Sequence, residues 1–155
     1  MSLNLYVSLL ALHLLGAMVW TGGHLVLALA VLPRVMRERS VARLRDFEAG
    51  FERVGMPALL LQVATGLGLA HLRWPHGTAL ADLLLPATWQ LPGVTGIVLK
   101  LALLAATVIA AIDARFRLIP HLSPATLPAM ARRIGLVTVL GVGFVLTGLG
   151  LRFGL

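Results

Sequence analysis

His13 is followed by Trp20 seven residues later and by His24 eleven residues later. In a helix these steps turn by about 700° and 1100°, so the three side chains fall within about 20° of one line. Imidazole nitrogens bind metals and haem iron and carry protons. On a spanning helix such a face must point into protein or a cavity, because facing lipid is costly. Gly16 and Ala17 leave room beside the line. The two histidines are about 16 Å apart along the axis, so one metal ion cannot bind both. They serve two sites, or one site and one structural hydrogen bond. A single histidine inside a membrane is commonly just a satisfied polar residue, but two in register around a tryptophan favour a function, at His13 first.

Lys100 is the only lysine and stands between Leu99 and Leu101 in an otherwise uncharged run. Its charge is expensive at that depth unless it snorkels or is paired. No Asp or Glu lies within a spanning core, so an anion is the expected partner: a haem propionate, a quinone oxygen or a lipid phosphate. The competing role is a lysine snorkelling to the surface. His71 closes the second apolar run, one or two turns farther out than His13 by counting. Helix tilt can level them as a pair of axial ligands, whereas an unliganded interfacial histidine is the commoner case. His76 and His121 fall in loops, where solvation is the default. Met18 lies off the histidine line and Met56 at the inner mouth, so no methionine ladder suited to Cu(I) forms.

The elements that must hold these residues follow from hydropathy. Of 155 residues, 59% are hydrophobic and 12% charged, and the mean hydropathy is +0.94. Soluble domains are about a quarter charged, which excludes a water-soluble enzyme, a disordered tail and a coiled coil. There is no cysteine, hence no disulfide framework or thiolate site. Charge-free runs occur at Met1–Pro33, Val54–Leu72, Leu83–Leu99 (continuing past Lys100) and Ile134–Leu151. A hydrocarbon core needs about 20 apolar residues per helix. The expectation is one all-α transmembrane domain over 1–155, an integral membrane four-helix bundle with spans near 4–33, 54–72, 93–113 and 133–152. The first run has no basic n-region and is too long for a signal peptide, so it is read as retained. Val41, Leu44, Phe47, Phe51 and Val54 recur at helical spacing among charges, which predicts an amphipathic helix near 38–52, lying at the interface or extending a neighbouring span. Trp74 and Trp89 are expected as interfacial anchors in the connection before Pro92. Gly141, Gly143, Gly148 and Gly150 suit close helix packing.

Arginine placement gives orientation. Arg34, Arg37, Arg39, Arg43, Arg45 and Arg53 follow the first span, and Arg115, Arg117, Arg132 and Arg133 follow the third. Only Arg73 and Arg152 lie on the other side. The positive-inside rule then places the Arg-rich loops in the cytoplasm and both termini outside, in the cell's inner (plasma) membrane. The formal charge of +7 thus marks topology and contact with the lipid bilayer, not nucleic acid.

The run Leu12-His13, Val19-Trp20-Thr21-Gly22-Gly23-His24 and Leu32-Pro33-Arg34 resembles the opening of the copper-resistance D (CopD)-like membrane domain, and Gly96-Ile97-Val98-Leu99-Lys100-Leu101-Ala102-Leu103 resembles its lysine-bearing helix. The seven-residue His-to-Trp spacing and the later lysine are also similar to the membrane protoporphyrinogen oxidase of the HemJ type, a four-helix b-type haem protein. The thirteen residues from Trp20 to Pro33 follow the CopD-like pattern rather than the oxidase pattern. The resemblance implies that His13 is the haem or metal ligand and that Lys100 is its needed partner.

Two functions compete. In one, haem b sits between helices on His13, with His71 as the candidate second ligand, Trp20 beside it and Lys100 or Arg73 near the propionates, moving electrons as a membrane electron-transfer protein. In the alternative, His13, His24 and His71 handle copper, as the CopD-like name implies, although a lysine beside a Cu(I) path would repel the ion. No hydrolytic set or phosphate loop is present, so an enzyme would have to be a haem-dependent membrane oxidoreductase. The open partners are a quinone, a cytochrome or a second copy of the chain as a homo-oligomer.

Overall fold

Long uncharged runs can satisfy their backbone polar groups in lipid by coiling into helices. The computed structural model describes residues 3–153 and is helical, with no strand among the described residues. Helix α1 spans Leu3–Val26 and passes through a π-helical turn, Leu27–Val31, into α2, Leu32–Glu38. Helices α3, Val41–Arg73, α4, Val94–Asp113, and α5, Leu127–Phe153, follow. Two short 3-10 turns, Leu80–Leu84 and Pro86–Gln90, lie between α3 and α4, and a second π turn, Ala114–Leu118, prolongs α4. Four segments are long and apolar enough to cross a membrane: Asn4–Glu38, Val41–Arg73, Val94–Leu118 and Leu127–Leu151. This is the architecture of a multi-pass membrane protein.

The helices outrun the spans read from hydropathy, which registers only the part matched to lipid. The first does not stop at Pro33. Proline offers no N–H to the carbonyl four residues back, and the π turn absorbs the mismatch, with Leu32 N–H donating to Leu27 O. The amphipathic segment expected near 38–52 is the first part of α3, continuous with the second span. Arg39 adopts a left-handed conformation (φ 48°), Ser40 N–H donates to Val35 O at 3.1 Å, and Ser40 Oγ caps α3 by accepting from Arg43 N–H at 3.3 Å. The six-arginine connection therefore shrinks to a turn at Arg39–Ser40 between helices. Pro57 stands mid-way along α3, where it leaves the Arg53 carbonyl without its helical donor.

Helix α1 is central. It packs most extensively on α3 and also on α5, and α5 packs on α4. Helices α3 and α4 scarcely touch, so the fourth seam of the bundle is open. Gly16 sets the α1–α3 approach: a Cβ there would lie 2.9 Å from Ala58 O and 3.1 Å from Gln62 Cβ. In the last helix, Gly141 lies against Thr21 and Gly148 against Lys100. At the Arg-rich end, Leu27, Val35, Leu44, Leu122, Leu127, Met130 and Ile134 form a closed core in which Val35 and Leu44 are fully buried. There Asp113 takes Arg133 at 2.7 Å, tying α4 to α5, and Arg115 takes Glu52 at 3.5 Å. In the α3–α4 connection the Trp74 and Trp89 indoles donate to the backbone carbonyls of Thr78 and Leu83, each at 2.9 Å.

Candidate functional site

Away from the Arg-rich end the bundle does not close. A cavity of about 480 Å³ lies among α1, α3, α4 and α5. Helix α1 lines it with Tyr6, His13 and Trp20, two successive steps of seven residues on one line. Helix α3 contributes Gln62, Gly66 and Arg73, α4 contributes Lys100 and Thr107, and α5 contributes Gly148; most of the remaining wall is Leu, Val, Ile, Ala and Phe. Trp20 is buried against Ala110, Val137, Phe51 and Leu59 and forms the floor. Among the described residues no carboxylate lines the cavity.

His13 Nδ1 lies 2.9 Å from the Gln62 backbone oxygen and 3.2 Å from Thr65 Oγ1. A carbonyl only accepts, so Nδ1 carries the proton. The Thr65 hydroxyl spends its own proton on Leu61 O at 2.7 Å, which leaves its oxygen free to accept from Nδ1 as well. The neutral imidazole then keeps its lone pair on Nε2, the tautomer that a metal-ligating histidine fixed by a backbone carbonyl adopts. Gly66 makes the space: a Cβ there would be 2.9 Å from His13 Cε1.

Lys100 is half-buried, with its Nζ 3.2 Å from where a Gly148 Cβ would stand. It forms no ion pair among the described residues, whose salt bridges all involve arginine. Arg73 donates to the Tyr6 hydroxyl and lies over its ring, 5.5 Å from the centroid. Gln62 is buried, and its Oε1 has no hydrogen-bond partner. Lys100 and Arg73 set in an apolar wall suit an amphiphilic anion, whereas the imidazole lone pair is an acceptor that suits a metal ion or a hydrogen-bond donor.

The structure thus brings His13, Trp20, Lys100 and Arg73 together and leaves two expected ligands out. His71 is exposed and does not line the cavity. It lies nine residues past Gln62, about 900° or half a turn out of phase, whereas Arg73, eleven residues past, is back in phase. The expected axial pair His13/His71 is therefore not assembled. His24 lies below the floor: its Nδ1 donates to Trp20 O at 3.0 Å, and its ring packs on Trp20 (4.4 Å between centroids) and Phe51 (5.5 Å). The histidine line divides at Trp20. No group of three or more His, Cys, Asp or Glu able to hold a metal ion occurs among the described residues, and His76 and His121 are exposed.

Sequence reasoning passed over Tyr6, Gln62, Thr65, Gly66 and Thr107. Tyr6 was within reach, standing seven residues before His13 on the same line. No known protein family, curated protein or solved structure matches the chain.

Proposed function

We propose that the protein is a b-type haem-binding electron-transfer protein of the plasma membrane, of the CopD/HemJ-like kind. The observation that carries this reading is the shared cavity of His13, Lys100 and Arg73, with no carboxylate among the described residues of its wall. The donor set fits: His13 would offer Nε2 to the iron, and Lys100 and Arg73 would offer cations to the propionates. Bound haem would supply reversible one-electron chemistry. The chain's own residues contribute the rest. Gln62 and Thr65 hold the imidazole, the apolar wall lowers the local dielectric, and Trp20 closes the site toward the Arg-rich end. A quinone or a cytochrome is the electron partner. The ten-to-two arginine asymmetry supports cytoplasmic Arg-rich turns with both termini outside. Copper handling has no comparable support: its histidine line divides at Trp20, and Lys100 would repel the cation.

A reduced-minus-oxidised absorption spectrum of the purified protein tests the proposal. Wild type and His121→Ala should show Soret and α bands, and His13→Ala should lack them. A wild-type protein that carries no haem and takes none up on titration would overturn it.

A further inference from the structure

The cavity also has a side door. Helices α3 and α4 scarcely touch, and Leu67 of α3 and Leu101 of α4 both line the cavity while remaining 51% and 39% exposed. The interior is therefore reached through an apolar seam facing the surface that four spanning helices offer to lipid. Inside stands a single ammonium, Lys100, six residues or about 9 Å down α4 from Val94. The volume of about 480 Å³ lies in the range of small-ligand pockets, roughly 300–1,000 Å³.

We infer that the cavity admits a single-chain carboxylate amphiphile sideways from the bilayer, head to Lys100 and chain along the α3–α4 seam, in competition with haem. The choice of head group follows from the seam. A carboxylic acid can cross an apolar gap in its neutral form and ionise beside the ammonium, whereas a phosphodiester stays charged throughout and must be desolvated as an ion. A cationic amphiphile is repelled by Lys100 and Arg73 and meets no carboxylate among the described lining residues. Only the competition rests on the haem reading; binding of the acid alone does not.

Trp20 at the floor is a reporter. Of the three tryptophans, Trp74 and Trp89 lie outside the cavity wall, so Trp74→Phe with Trp89→Phe isolates Trp20. The experiment titrates haem-free protein of this background in nanodiscs with a brominated long-chain fatty acid, and separately with the brominated alcohol and a brominated phosphatidylglycerol. The acid should quench Trp20 fluorescence saturably, and the other two should not. Lys100→Met should weaken the acid by about tenfold or more, while Lys100→Arg, which keeps the cation, should retain it. Equal quenching by acid and alcohol, phosphatidylglycerol quenching as saturably as the acid, or an unchanged midpoint in Lys100→Met overturns the inference. Acid binding without any Soret uptake would leave this site standing and remove the haem reading, and the converse result would remove this site alone.

Discussion

Gly66 acts through the atom it lacks, because any Cβ at that position would push the His13 ring away from Gln62 O and Thr65 Oγ1. Alanine is better than glycine in a helix interior by about 1 kcal/mol. Gly66→Ala should therefore leave thermal stability unchanged or raised while haem uptake falls, a combination that general damage to the fold does not produce. Parallel thermal unfolding and Soret titration of the variant check this, and undiminished uptake would remove Gly66 as the positioner of His13. Part of the cavity wall was legible at this scale from helical phase and charge: the seven-residue step reached Trp20, and a lone lysine in an apolar run marked α4. Apart from Gly66, what was missed is polar without being charged. Thr65 looks unremarkable inside a span until the structure shows its hydroxyl at the imidazole, and the other partner, the backbone carbonyl of Gln62, carries no side-chain signal at all. His24 is in phase with His13 but lies about 16 Å farther along the axis, and phase alone cannot show that Trp20 fills the bundle between them.

Among elements, α1 differs between its packed and its open glycine positions in how much it tolerates. A Cβ on Gly16 would meet the Ala58 carbonyl, a backbone atom that cannot swing aside, whereas one on Gly22 would meet nothing within 4 Å. Gly16→Ala should therefore part α1 from α3 and destabilise by about 1–3 kcal/mol, and Gly22→Ala should stabilise by up to about 1 kcal/mol. Melting temperatures in one detergent should move in opposite directions; a shared direction would mean that Gly16 does not set the spacing. Hydropathy found the number and order of the spans because apolar length is a local property. It could not place their ends. Those depend on Ser40 capping α3 and on the π turn that carries the first helix past Pro33. Nor could it show that α3 and α4 leave a seam, since which neighbours meet is a matter of tertiary packing.

The whole molecule is polarised, with a close-packed, arginine-bearing end and a hollow, basic-lined end. The absence of cysteine makes its orientation directly measurable. Single cysteines at Arg37, Ala125 and Ala79, all exposed, can be treated with a membrane-impermeant maleimide in sealed spheroplasts. Ala79→Cys should label at once, and Arg37→Cys and Ala125→Cys only after lysis; the opposite pattern would invert the proposed topology and put the cavity on the cytoplasmic side. Arginine bias is legible in sequence because topology is decided by side-chain charge near the span ends, before the helices pack. The cavity arises only once they have packed.

Pro57 divides α3 into two arms of equal reach. Sixteen residues separate it from Val41 and sixteen from Arg73, about 24 Å on either side. One arm walls the cavity and ends at Arg73, and the other carries Arg43, Arg45 and Arg53. A bend of about 10° at that joint would swing the Val41 end by roughly 4 Å, a displacement that the fully buried Leu44, packed with Val35 in the closed core, opposes.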